Sequence, residues 1–194
     1  MQKVILLDDD DHRRSGVEDF IKTVYLSQYG AVIEAPTTRL ISLLNCGRGV
    51  MCAASLRSDE DGFFSERYLD VPIDQVLSAI SGRLVARHEI FEVSTLSSCA
   101  PRSTARFIRE IVAYGETRGF AWSFFTLTRR LYGMLERLGF ALTFLAKADG
   151  SRIADAHRWG DYYATDPGVY AIASDSLSAR VGRNLGMECH ASAL

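Results

Sequence analysis

Glu92 is the residue in this chain most in need of an explanation. It sits in Ile90–Leu96, a run that is otherwise apolar, β-branched or small, and a carboxylate placed there needs a partner or a task. Burial would raise its pKa and turn it into a general base near neutral pH. Glu89 is the second candidate, and strand alternation puts it on the opposite face. Cys99 stands at a helix start close to Arg102, a setting that lowers a thiol pKa and would suit an acyl-cysteine intermediate; the plainer alternative is a small buried residue. Glu66, Arg67, Tyr68 and Asp70 place acid, base and hydrogen-bonding groups beside an apolar wall, and read equally well as a salt-bridge knot that fixes a loop. Arg102, Arg106, Arg109, Arg129 and Arg130 put cations near two helix starts, where solvation of the helix surface is the ordinary role. Trp159, Tyr162 and Tyr163 suit a pocket wall. No metal site is expected. The four aspartates Asp8 to Asp11 are consecutive, so their side chains do not converge on one ion, and His12, His88, His157 and His190 lack ligand spacing.

The elements that position these residues follow from periodicity. Val4–Leu7 predicts a short strand, and Val17, Phe20, Ile21, Val24 and Tyr25 share one face of a helix over Arg13–Tyr29. Thr37–Asn45 and Val50–Arg57 flank Cys46-Gly-Arg-Gly49 as a hairpin. Asp59–Gly62 is a polar loop, and Asp74 is expected to cap a short helix through Ala79. Glu89–Leu96 predicts a strand, broken by the turn Ser97–Thr104 with Pro101 in it. A helix through Ile108 and Ile111 ends at Gly119. Ala121–Thr128 is a buried strand, Leu131, Leu135 and Leu138 mark a helix closed by Gly139, and Ala141–Ala146 is a further strand. Two β-α-β crossovers in succession imply neighbouring parallel strands. Ala148–His157 reads as loop and helical turn, Val169–Ala173 as a last strand, and Ser176 as the cap of a final helix carrying Leu177, Val181 and Leu185.

Composition sets bounds. The chain's 194 residues suit one domain, taken as 1–194, which buries roughly 70% of its unfolded surface without staples. Hydrophobic content of 47% with 24% charged residues is that of a soluble globule. A net charge of −2 argues against nucleic acid as a partner. Cys46, Cys52, Cys99 and Cys189 form no C-x-x-C pair and are expected as free, mostly buried thiols in a reducing cytoplasm. The apolar run Val4–Leu7 is too short for a signal peptide, and no run reaches the length of a membrane span.

The order strand, helix, strand, helix, strand over Glu89–Ala146 is that of the second half of a Gcn5-related N-acetyltransferase (GNAT) domain. The segments FSERYLDVPID (Phe64 to Asp74), EVSTLSS (Glu92 to Ser98), RGFAWSFFTLT (Arg118 to Thr128), LGF (Leu138 to Phe140) and WGDYY with its following DP resemble the thermostable hemolysin family, in order, over roughly Met51 to Ala173. That family is related in fold to the acyl-homoserine-lactone autoinducer synthases and N-acyl amino acid synthases. The resemblance implies an α/β fold of GNAT or autoinducer-synthase type, a mixed twisted sheet of about seven strands flanked by helices. It implies N-acyl transfer from a coenzyme A or acyl-carrier-protein thioester to a small amine or amino acid, with no permanently bound cofactor. In such a fold the carrier arm lies where the fourth and fifth strands splay, which points to Leu96, Ser97, Ser98, Arg102, Ser103, Thr104 and Arg129. Glu92 would serve as base, and Glu66, Tyr68, Thr126 and Trp159 would shape the acceptor pocket. Two departures stand out. The loop after the fourth strand has no glycine, unlike acetyltransferases that cradle a pyrophosphate there, which favours an acidic carrier protein meeting the arginines. Autoinducer synthases follow the strand glutamate with arginine three residues on, where this chain has Thr95, so an acceptor other than S-adenosylmethionine is implied. The family name supports a membrane-active protein as the alternative, and the missing glycine a non-catalytic binding module.

Overall fold

The first half of the chain builds an antiparallel ribbon with a helix laid on it. In a computed structural model, which describes residues 2–174, β1 (Gln2–Leu7) pairs with β2 (Leu40–Asn45), and β2 with β3 (Gly49–Arg57), both antiparallel. The long β1–β2 connection carries α1 (Arg14–Tyr29), whose Val17, Ile21, Val24 and Tyr25 are buried, with Ile5, Leu7, Leu40 and Ala53 among the core they join. Arg14 is buried for a reason: its Nη2 donates to the carbonyls of Pro36 and Thr38 at 2.6 and 2.9 Å, and its Nε to Glu18. It thereby ties α1 to the strand that follows. The aspartates before α1 disperse: Asp8 pairs with Arg39, Asp9 with Arg14 and Asp11 with Arg13.

The second half supplies crossovers. A 3-10 turn, Ser65–Tyr68, precedes α2 (Ile73–Ser81). Asp74 does not cap α2. Pro72 occupies that position, the Ile73 N–H donates to Glu66 Oε1 at 2.9 Å, and Asp74 instead meets Arg87. β4 (Ile90–Ser98) is antiparallel to β3 and ends two residues later than the predicted Glu89–Leu96, so Ser97 and Ser98 belong to the strand. The turn shrinks to Cys99-Ala100, and α3 (Pro101–Thr117) opens on proline, whose missing N–H is no loss in a first turn. β5 (Trp122–Leu127) lies parallel to β4. α4 (Arg129–Arg137), β6 (Thr143–Lys147) and β7 (Gly168–Ala173) follow.

The sheet order is β1-β2-β3-β4-β5-β7-β6. The second crossover therefore does not make parallel neighbours, as the local pattern implied: β7 enters antiparallel between β5 and β6. The reason is burial. Val169, Ala171 and Ile172 are shielded on both faces, as an interior strand requires, whereas Phe144 of β6 is 59% exposed, as an edge tolerates. α3 and α4 cover one face, with Phe107, Ile111 and Leu135 packed among Phe91 and Phe125. The other face carries α1, α2 and a 3-10 segment, Ala156–Thr165, that breaks at Gly160. Full burial of a side chain such as Phe107 or Phe124 contributes about 1.5–3 kcal/mol. The helix anticipated from Ser176 lies outside the described residues. No helix among the described residues is long and apolar enough to cross a membrane.

Candidate active site

β4 and β5 part halfway along their length. Their ladder runs from Ile90–Trp122 to Val93–Phe125 and stops. At that point β4 carries an extra residue relative to β3, since Ser55 faces Ser94 while Ala53 faces Ser97. Thr95 takes up the bulge with φ of 49°, a conformation a β-branched residue rarely adopts, and its Oγ1 is fixed 2.6 Å from Ser55 Oγ. Beyond the bulge β4 stays paired with β3, and β5 stays paired with β7 through Leu127–Gly168.

Glu92 is wholly buried just before the split. Its Oε2 accepts from the Phe64 N–H at 2.6 Å, and its Oε1 from the Ser65 N–H at 2.9 Å and the Ser65 Oγ–H at 2.6 Å. Burial raises its pKa; the Ser65 and Phe64 donors and the nearby Arg57, its cross-strand neighbour, pull the other way without cancelling the shift. Ser65 Oγ also lies 2.8 Å from Thr126 Oγ1. The Ser65 proton is committed to Glu92, so Thr126 is the donor in that bond, and its oxygen keeps a lone pair for another donor.

Cavities meet at Thr126. The first, of about 330 Å³, is lined by Thr126, Ser65, Tyr68, Arg57, Trp159 and the 32–37 loop, among others. Tyr25, Trp159, Tyr162 and Phe64 form an aromatic wall in which Tyr25 and Tyr162 stack at 6.2 Å and Phe64 and Trp159 lie 5.5 Å apart. The wall is held where Gly160 presses on the end of α1: a Cβ there would lie 2.1 Å from the Tyr29 carbonyl oxygen. The second cavity, of about 510 Å³, opens between the starts of α3 and α4, with Leu96, Ser98, Cys99, Thr104 and Arg130 in its lining. Tyr25, Tyr162 and Thr126 line both cavities. A narrow apolar crevice of about 30 Å³ runs from Leu96 and Thr126 down between Val93, Ile108, Phe125 and Leu135.

The sequence candidates distribute unevenly over this arrangement. Leu96, Ser98 and Thr104 line the second cavity, and Thr104 Oγ1 donates to Ser98 Oγ at 2.7 Å. Ser97 points away, its Oγ donating to the Thr95 carbonyl, and Ser103 meets Gln2. Arg102 and Arg129 are exposed and outside the lining, which Arg130 and Arg137 reach instead. Tyr68, Thr126 and Trp159 line the first cavity. Glu66 does not: its carboxylate binds Arg87 at 2.7 Å and the start of α2, which is the loop-fixing knot. Glu92 itself is one residue removed from the first cavity, behind Ser65. Glu89 is held by the Ala86 N–H, which chiefly lowers its pKa, and by Arg83. Cys99 is exposed rather than buried, as is Cys46; Cys52 is buried, and Cys189 lies outside the described residues. Ser65 and Arg57 had no distinguishing signal in the sequence. Ser65 becomes visible only through contacts with residues 27 and 61 positions away.

A mixed seven-stranded sheet, split between β4 and β5 and bulged at the split, defines the acyltransferase fold of the GNAT and autoinducer-synthase type. Solved structures agree. FeeM, an N-acyl amino acid synthase from uncultured soil microbes, superposes with a TM-score of 0.60 at 15% identity, over 90% of this chain and 93% of its own. The acyl-homoserine-lactone synthase LasI gives 0.61 at 10% identity over 90% and 89%. MesI, a CoA-dependent acyl-homoserine lactone synthase, gives 0.50 at 13% over 89% of each chain. No curated protein matches by sequence. The model of the thermostable hemolysin family matches residues 7–177, and the chain belongs to that family.

Proposed function

We propose that this protein is an N-acyltransferase that moves an acyl group from a coenzyme A or acyl-carrier-protein thioester to a small amine or amino acid, in a single domain and in the cytoplasm. The observation that carries the reading is the chain Thr126–Ser65–Glu92, which leads from the meeting point of two cavities to a buried, weakly acidic carboxylate. The second cavity takes the carrier arm, whose amides find the β5-facing edge of Ser94–Ser98, which has no strand partner. Arg102, Arg129 and Arg130 face an acidic carrier at the mouth, and the apolar crevice receives the start of the acyl chain. The first cavity takes the acceptor.

The chemistry then balances. The acceptor ammonium gives a proton to Thr126 Oγ1, Thr126 passes its own to Ser65, and Ser65 passes its own to Glu92. The neutral amine attacks the thioester carbonyl, a C–N bond forms, the C–S bond breaks, and the second amine proton goes to the leaving thiolate, which departs as the free thiol. Burial raises the pKa values of Tyr25 and Tyr162, so both phenols stay protonated beside the junction, where they donate to the charge on the leaving sulfur. Support for the reading comes from the fold, the family and this geometry together.

The test is mass spectrometry of reactions with acyl-CoA and acyl-carrier-protein series, each with pooled amino acids and polyamines, for wild type and Glu92→Gln. Release of free carrier with an N-acyl product, lost in the variant, is the expected result. Absence of turnover from every donor by folded wild type would overturn it in favour of the binding module that the glycine-free start of α3 also fits. Liposome leakage by the purified protein would favour the membrane-active alternative.

A further inference from the structure

We infer that the acceptor is a free α-amino acid with an uncharged side chain, and that Arg67 and Arg57 hold its carboxylate. The inference rests on the acyltransferase reading of the first cavity and goes on to name what that cavity binds.

The ionisable side chains lining that cavity, its tyrosines aside, are Arg57, Arg67, Arg158, Glu34 and Asp155. Of the two carboxylates, Glu34 is ion-paired with Arg158 and Asp155 acts on the same arginine through space. Arg158 Nη1 bonds Glu34 at 2.7 Å, and Asp155 adds to the field that raises the Arg158 pKa. Arg57 and Arg67 are left without a carboxylate at ion-pair distance among the described residues. Arg57 gives Nη1 to the carbonyls of Asp61 and Gly62, while among the described residues its buried Nε has no partner and its Nη2 makes no hydrogen bond. Arg67 stacks on the Phe64 ring at 4.9 Å, which fixes the guanidinium plane and leaves its fork of N–H donors unspent. Two arginines, held in place and unpaired in one cavity, suit a carboxylate.

Position supports the same choice. Arg67 follows Ser65 by two residues in one 3-10 turn, and Ser65 is the relay to Glu92. The turn thus presents a proton acceptor and a carboxylate donor set side by side. In an α-amino acid one carbon separates the amine from the carboxylate, so one ligand reaches both. A diamine or polyamine would bring a second cation against Arg57 and Arg67. The aromatic wall, Tyr25, Phe64, Tyr68, Trp159 and Tyr162, offers ring faces to an apolar side chain.

The experiment compares L-leucine and L-phenylalanine with their primary amides and with isoamylamine and phenethylamine, on wild type, Arg67→Gln and Arg57→Lys. Arg67 is exposed, so its variant keeps the fold; Arg57 pins a loop, and its lysine variant keeps the charge while losing the fork. Wild type is expected to use the free acids at least about 10-fold better than the amides, and Arg67→Gln to raise KM for the acids about 10–100-fold while leaving the amides unchanged. Equal use of acids and amides by wild type, or an equal loss for every acceptor in Arg67→Gln, overturns the inference. The same six compounds are titrated calorimetrically into wild type and Arg67→Gln without donor. Carboxylate-dependent binding that disappears in the variant upholds the inference even if no thioester is ever turned over, which isolates it from failure of the acyltransferase reading. No binding of either free acid, or equal binding of acids and amides, overturns it.

Discussion

Replacing Gly160 with alanine tests whether the aromatic wall depends on one close backbone contact. Gly160 has φ of 51° and ψ of −129°, a conformation that costs an L-residue about 1–3 kcal/mol. Its Cβ would also stand 2.1 Å from the Tyr29 carbonyl oxygen and 2.9 Å from the Gly30 carbonyl carbon, and backbone at a helix end yields little. Relieving that overlap means lifting Trp159–Tyr163 off α1, at about 1–3 kcal/mol more by analogy with overpacked cores. A loss near 3 kcal/mol lowers the melting temperature by about 6–12 °C for a chain of this size. Gly16→Ala is the control: its Cβ meets nothing within 4 Å, the backbone is helical, and a gain of about 0.5 kcal/mol is expected. Urea and thermal melts of both variants measure the difference. The acceptor KM should rise in Gly160→Ala, because the wall it displaces lines the first cavity; of that segment Tyr162 alone also lines the second cavity, so the donor KM should rise less. A Gly160→Ala protein that melts within 2 °C of wild type, or one whose acceptor KM does not rise, would refute the reasoning.

Glu92 predicts the pH behaviour. With its pKa raised by burial, the acidic limb of kcat/KM lies above the usual carboxylate range; Ser65→Ala cuts the relay and should lose rate, with the limb of its residual activity moved further up because a bond that lowers the pKa is gone, and Glu92→Gln should erase the limb with a loss of about 10²–10⁴ in rate. The sign for stability follows: the folded state holds this proton more tightly than the unfolded, so the carboxylate costs least at low pH, and the stability of wild type relative to Glu92→Gln should improve as pH falls from neutral through the folded pKa, measured by urea melts across that window. Gly115→Ala places a Cβ 2.5 Å from Phe91 Cε1 and should destabilise by about 1–3 kcal/mol, with Phe91→Leu restoring part of the loss in the double variant. Cys99→Ser should keep acyl transfer if the amine attacks the thioester directly, whereas a maleimide on Cys99, which lines the second cavity, should block it; loss of turnover in the serine variant, with an acyl adduct on the wild-type thiol, would instead establish an acyl-cysteine route.

Glu92 was legible because a lone carboxylate in an apolar strand is an anomaly at any distance from its partners. Ser65 was not, because a serine beside Glu66 and Tyr68 carries no excess signal, and the chemically louder Glu66 proves to be occupied by Arg87. Arg57 reads as an ordinary strand-end cation until the register sets it opposite Glu92. The elements themselves were legible from periodicity, but the slot taken by β7 was decided by which strand is apolar on both faces. Val169–Ala173 shows no polar alternation, and that is the sequence trace of an interior strand; the β-α-β pattern masks it, since crossovers constrain handedness and not adjacency.

The gap between β4 and β5 follows from the same topology. β4 leaves its parallel partner at Thr95 yet keeps pairing with β3 as far as Cys52–Ser98, and β5 keeps pairing with β7 as far as Gly168. Each strand is therefore fixed from its outer side, and neither is free to swing and close the ladder. The sheet behaves as a four-stranded and a three-stranded piece joined by the pairs Ile90–Trp122 to Val93–Phe125. Backbone N–H and C=O groups on the inner edges past that joint have no strand partner, and buried groups of that kind seek one. A ligand arm with amides of its own supplies it, in a gap already open before binding. The strained Thr95 that starts the gap stands next to Leu96 and two residues from Val93, which line the apolar crevice together with Thr126, the residue that Ser65 links to the buried proton acceptor.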